Sequence, residues 1–129
     1  AMRLPFFGAH ALAGAPKVRR EKFYTSAAGY VYSYFYLGHK LRRRTTEFVF
    51  EAAADRRSYA VIAVVLPDAV LAAWASAHGR ALEAAERYAV AKLALQRAFD
   101  GCPAADALGR RVVVDDRLAA EILELLGID

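Results

Sequence analysis

Tyr30-Val31-Tyr32-Ser33-Tyr34-Phe35-Tyr36-Leu37 decides the fold class. Eight residues rich in β-forming aromatics, with a strict period of two, specify a β-strand and not a helix. That period puts Tyr30, Tyr32, Tyr34 and Tyr36 on one face and Val31, Ser33, Phe35 and Leu37 on the other. The second set is the more apolar. It is the expected core face, which leaves the tyrosines on a face that is open or only partly covered.

Outward from this strand the pattern is that of a meander. Lys17 to Tyr24 reads as a preceding strand, joined through the turn Ser26-Ala27-Ala28-Gly29. Gly38-His39-Lys40 opens the following connection, and Thr45 to Ala53 forms the third strand. There Phe48, Phe50 and Ala52 are expected inward, with Glu47 and Glu51 outward beside the tyrosines. Asp55-Arg56-Arg57 turns the chain into Ser58 to Leu66, apolar at both parities and so covered on both faces. Short connections between successive strands make an antiparallel meander the expected topology.

Helices follow. Proline and a carboxylate suit the first turn of a helix opening at Pro67-Asp68, with Val70, Leu71 and Trp74 on its apolar stripe and His78-Gly79 at its end. A longer helix is predicted over Arg80 to Asp100, with Glu83 and Arg87 as an i,i+4 pair. Gly101-Cys102-Pro103 closes it, 103–111 is a loop, and Val112-Val113-Val114 is a short edge strand. Asp115 or Asp116 caps a last helix that turns Leu118, Ile122, Leu125 and Leu126 inward. The predicted fold is α+β: a four-stranded antiparallel meander, two helices on one face, a short extended piece and a C-terminal helix. Residues 17–129 form one domain. Residues 1–16 form a loosely structured arm that docks through Phe6 and Phe7, its apolar run too short for a signal peptide.

The 129 residues are 57% hydrophobic and 25% charged, a globular composition. No window is apolar enough to span a membrane. A single cysteine, Cys102, rules out a disulfide framework and points to a reducing bacterial cytoplasm. Residues 1–57 carry eleven Lys/Arg against four Asp/Glu, and residues 58–129 seven against ten. Such asymmetry fits a basic surface for an anionic partner, or acidic helices packed beside a basic sheet in one molecule.

Few catalytic signatures appear. Gly-rich phosphate loops, a G-x-S-x-G elbow and H-E-x-x-H are all missing from the sequence. His10, His39 and His78 are scattered, so no metal ligand set, no cofactor and no catalytic residue is assigned. Three features remain as candidates. Tyr30, Tyr32, Tyr34 and Tyr36 offer an interaction surface. Arg19, Arg20, Lys22, Lys40, Arg42, Arg43 and Arg44 offer a patch for anions or nucleic acid, with solvation as the plain alternative. Tyr88, Lys92 and Gln96 interrupt the apolar arc of the long helix as a polar site, although a lysine there more often snorkels to the edge. Together these features suggest a non-enzymatic interaction or regulatory module that self-associates or binds another protein. A nucleic-acid binder is the second expectation, and a small enzyme or ligand binder around Lys92 the third.

Overall fold

The computed structural model describes residues 12–102 and 109–129. The candidate docking residues Phe6 and Phe7, and His10, lie outside them. Strands β1 (Lys22–Thr25), β2 (Val31–Arg42), β3 (Thr45–Ala53) and β4 (Ala60–Pro67) form the expected antiparallel meander. Helices α1 (Asp68–His78) and α2 (Ala84–Asp100) follow, then strand β5 (Arg111–Val113) and helix α3 (Asp116–Leu126). β5 adds a fifth strand, parallel to β4, so the sheet order is β1-β2-β3-β4-β5. The intervening α1 and α2 supply the long crossover that a parallel pair requires.

The register overturns one expectation. Tyr34 stands opposite Ala52 and Tyr36 opposite Phe50, so the tyrosines share a face with the phenylalanines of β3. That shared face is the core. Tyr32 and Tyr34 are 1% and 2% exposed, and Tyr32 stacks on Phe99 of α2 with ring centroids 4.1 Å apart. Tyrosine buries a large apolar ring while its hydroxyl reaches for a partner, and that physics wins over the simple count of apolar residues. The Tyr24 hydroxyl donates to Asp100 at 2.8 Å, and Gln96 Nε2 donates to the Tyr34 hydroxyl at 3.1 Å.

The opposite face carries the carboxylates. Ser33, fully buried, donates to Glu21 at 2.6 Å and meets the Tyr59 hydroxyl at 2.9 Å, while Arg56 grips Glu21 with two bonds. Glu51 pairs with Arg19, and Glu47 pairs with Arg111. Glu47 and Glu51 therefore lie away from the tyrosines, not beside them.

Several boundaries also move. β1 begins at Lys22, not Lys17, because upstream it is Ala13 that pairs with β2, at His39. β2 continues through the expected connection at Gly38-His39-Lys40 and turns only at Arg43-Arg44. α2 begins at Ala84, not Arg80. Glu83 serves as its N-cap in a reciprocal capping box with Glu86, so it is not the i,i+4 partner of Arg87. Arg80 instead holds Glu86 through two bonds of 2.9 Å.

Asp115 caps α3 by accepting from Leu118 N at 2.8 Å. α3 buries Ala119, Ile122 and Leu123, and Leu125, expected inward, is 69% exposed. α2 turns Val90, Ala91, Ala94, Leu95 and Phe99 into the core. Each fully buried large side chain of this kind contributes about 1.5–3 kcal/mol. All three helices join one core with the tyrosine face of the sheet. Among the described residues, no helix is long and apolar enough to cross a membrane.

Candidate functional site

Two glycines and a bulge build the most chemically varied hollow of the molecule. In β2 the pairing slips between Tyr36 and Gly38, which leaves one extra residue on that strand. A slip of one residue reverses the faces beyond it. His39 therefore joins Tyr36 on the core side, opposite Phe48. Gly38 has φ 131°, and a Cβ there would sit 2.8 Å from the Ala13 carbonyl oxygen. Only glycine lets the N-terminal segment pair with His39, through bonds of 2.7 and 2.9 Å. The segment then turns at Gly14, φ 65°, whose missing side chain leaves room for the His39 imidazole.

Above this edge lies the start of α2. Tyr88 meets Tyr36 edge to face, with centroids 4.7 Å apart. The two tyrosines form a ridge with a cleft on each side. The larger cleft, about 350 Å³, is lined by Tyr36, His39, Phe48, Arg87, Tyr88 and their neighbours. The smaller, about 160 Å³, has Arg20, Lys22, Pro16 and Val18 around the same ridge. The volume of the larger cleft matches that of small-molecule sites, apolar walls with a few converging polar groups.

Among the described residues no carboxylate lines either cleft. Arg87 spends one guanidinium N–H on the Leu82 carbonyl at 2.6 Å, which fixes its side chain and leaves its other donors for a ligand. Tyr36 Oη and His39 Nδ1 are 3.4 Å apart, a weak contact that a better acceptor would displace. Burial pushes the Tyr36 phenol up to about 12, with Tyr88 adding to the shift. Burial also raises Tyr88. Both hydroxyls stay protonated at neutral pH and act as donors. The larger cleft can hold an aromatic ring against the tyrosine ridge and an anionic group beside Arg87.

The candidates from sequence are redistributed by the fold. Tyr32 and Tyr34 are core, and Tyr30 is half-buried against it. Of the tyrosine surface only Tyr36 reaches a cleft. The basic patch divides in two. Arg20 and Lys22 line the smaller cleft, whereas Arg42, Arg43 and Arg44 are exposed at the β2–β3 tip. Eight residues of strand separate Tyr34, opposite Lys22, from that tip, roughly 26 Å at strand spacing. Arg19 is committed to Glu51, and Lys40 stands opposite Glu47 in the ladder. The proposed trio on the long helix also separates: Gln96 serves Tyr34, Lys92 does not line the clefts, and Tyr88 alone contributes.

His39 and Arg87 were not singled out together by the sequence pattern. The available signal was Gly38, an isolated glycine inside an alternating strand, which marks a bulge and a change of face. Cys102 is buried, its thiol donating to the Ala98 carbonyl at 3.2 Å. Among the described residues no group of three or more His, Cys, Asp or Glu is placed to hold a metal ion.

No protein-family model matches the chain, and neither a curated protein nor a solved structure is significantly similar to it.

Proposed function

We propose that this domain is a non-catalytic binding module for a small anionic ligand with a planar ring, a carboxylate or phosphate ester of metabolite size. The observation that carries the reading is the lining of the two clefts beside Tyr36 and Tyr88, which among the described residues holds no carboxylate and places Arg87 and His39 in the larger cleft and Arg20 and Lys22 in the smaller. Anion recognition is favoured where fixed donors converge and no like charge must be displaced. The tyrosine ridge supplies the apolar contact that a bare inorganic ion would not use. A covalent or acid–base mechanism is not part of the reading, because among the described residues the side chain that hydrogen-bonds the His39 ring is the Tyr36 phenol and no carboxylate orients it.

A nucleic-acid surface is less favoured on this geometry. The stacking tyrosines of such a surface are in the core, and the two basic groups lie at different places along β2.

Thermal melting with phenyl phosphate, benzoate and the neutral benzyl alcohol tests the reading. The two anions are expected to raise the melting temperature in a concentration-dependent way, as any ligand of the folded state does. Benzyl alcohol is expected to leave it unchanged. Arg87→Gln, compared with its own ligand-free baseline, is expected to abolish the rise. Equal effects from all three compounds, or none from either anion, would overturn the proposal.

A further inference from the structure

A second hollow, about 560 Å³, lies between α1 and α3. Trp74, His78, Leu123 and Ile128 form its apolar side, with Trp74 and Leu123 buried and Arg80 stacked over the Trp74 ring. Glu121, Glu124 and Asp129 form its acidic side, Glu121 being already paired with Arg97 and Arg117. Trp74 and His78 are stacked 4.1 Å apart, and His78 Nδ1 lies 2.9 Å from the Trp74 carbonyl, so this wall is fixed.

The β2–β3 tip has the complementary character. Leu41 is 78% exposed, the most exposed of the large hydrophobic side chains among the described residues. Arg42, Arg43 and Arg44 follow it in direct succession. Arg19, Arg56, Arg80, Arg97, Arg111 and Arg117 each pair with a carboxylate of their own chain. No described carboxylate pairs with the three arginines at the tip. The tip is also preformed. Arg42 pairs with Thr45 across it, and the Arg44 carbonyl accepts from Asp68 N at 2.9 Å, which ties the turn to the start of α1. A rigid loop loses little conformational freedom when it docks.

We infer that the tip of one copy docks into the α1–α3 groove of a second copy. Leu41 meets the accessible apolar edge formed by His78 and Ile128, and the arginines meet Glu124 and Asp129. Charge complementarity selects a second copy: each molecule carries both halves of the contact, one basic with a leucine at its head, the other acidic with an apolar wall. A reciprocal contact closes as a dimer, and a non-reciprocal one propagates. Both use the same two surfaces. Arg42, Arg43 and Arg44 line neither cleft beside Tyr36, whereas Leu41 also borders the larger one, so the charge-reversed variants leave the ligand-site lining intact and separate the two proposals.

Light scattering across a concentration series, at low and high salt, tests it with charge-reversed variants. The wild-type mass is expected to rise with concentration at low salt and to fall back at high salt, because exposed charges are screened. Arg42→Glu with Arg43→Glu and Arg44→Glu is expected to weaken association by at least about tenfold, as is Glu124→Lys with Asp129→Lys. Mixing the two variants is expected to restore association, since one keeps an acidic groove and the other a basic tip. Circular dichroism establishes that each variant is folded. A monomer at every concentration, or association that tip reversal leaves unchanged, would overturn the inference.

Discussion

Tyr32 lies flat on Phe99, their ring centroids 4.1 Å apart and their planes 5° from parallel. With the Tyr34–Phe99 and Tyr36–Tyr88 contacts, this stacking joins the tyrosine strand to the long helix on the core face of the sheet. Among the described residues the Tyr32 hydroxyl has no hydrogen-bond partner at ordinary distance, and burial, with the Cys102 thiol beside it as a weak neighbour, raises its pKa. A buried donor without a partner carries a desolvation cost. Tyr32→Phe is therefore expected to leave stability unchanged within about 1 kcal/mol or to increase it. Phe99→Ala, which opens a cavity beneath the same ring, is expected to cost about 3–5 kcal/mol. Urea denaturation of the two variants checks the contrast, and a large loss in Tyr32→Phe would contradict it.

Gly38→Ala tests how the N-terminal segment is held over His39. The added methyl meets the Ala13 carbonyl at a backbone φ of 131° that alanine rarely adopts. A cost of about 1–3 kcal/mol is expected from strain at such a site. Loss of hydrogen-exchange protection at the Ala13 and His39 amides, which bond across this bridge, is the specific sign. Retained protection would show that the segment is held by something else.

Acid should loosen the start of α2. The two bonds from Arg80, and then the Glu83 amide, hold the Glu86 carboxyl at about 2, against an ordinary 4.5. A depressed carboxylate stabilises the fold fully above pH 4.5 and loses that effect as pH falls towards 2. Glu21 and Glu121 are lowered too, Glu21 by Ser33 and Arg56 and Glu121 by Arg97 and Arg117, and they act in the same sense. Wild-type melting temperature is expected to decline through this window, and Glu86→Gln is expected to decline less steeply. Parallel curves would contradict the assignment.

At the alkaline end the sign reverses. Burial holds Tyr36 at about 12 against an ordinary 10.0, and a raised phenol stabilises the fold below pH 10 and ceases to do so as pH approaches 12. Burial also raises Tyr34 and Tyr88, and the bond to Asp100 raises Tyr24. Tyrosinate absorbance is expected to develop late, with unfolding, and Tyr36→Phe is expected to remove one late-titrating group. Early ionisation of that group would place Tyr36 in water.

The meander and the order of helices were legible because period-two aromatics and helix-start signals are local. The facing of the tyrosine strand was not. Counting Val31, Phe35 and Leu37 as the better core undervalues Tyr32 and Tyr34, whose large rings bury as well, with Gln96 serving the Tyr34 hydroxyl. Phe48 and Phe50 were read inward correctly, and in that register Tyr34 and Tyr36 must follow them. The cleft was hidden for a related reason. His39 and Arg87 meet only because Gly38 shifts β2 by one residue and Glu83, not Arg80, starts α2. Both effects depend on cross-strand and capping partners that no single segment displays.

The most direct measurement is a titration of protein carrying labelled tyrosines with phenyl phosphate, followed by nuclear magnetic resonance. The ring signals of Tyr36 and Tyr88 are expected to move together and saturate, with the half-buried rings Tyr30 and Tyr59, which line neither cleft, unmoved and the response lost in Arg87→Gln. Static Tyr36 and Tyr88 signals, or shifts spread equally over all the tyrosines, would contradict a ligand site between the β2 bulge and the start of α2.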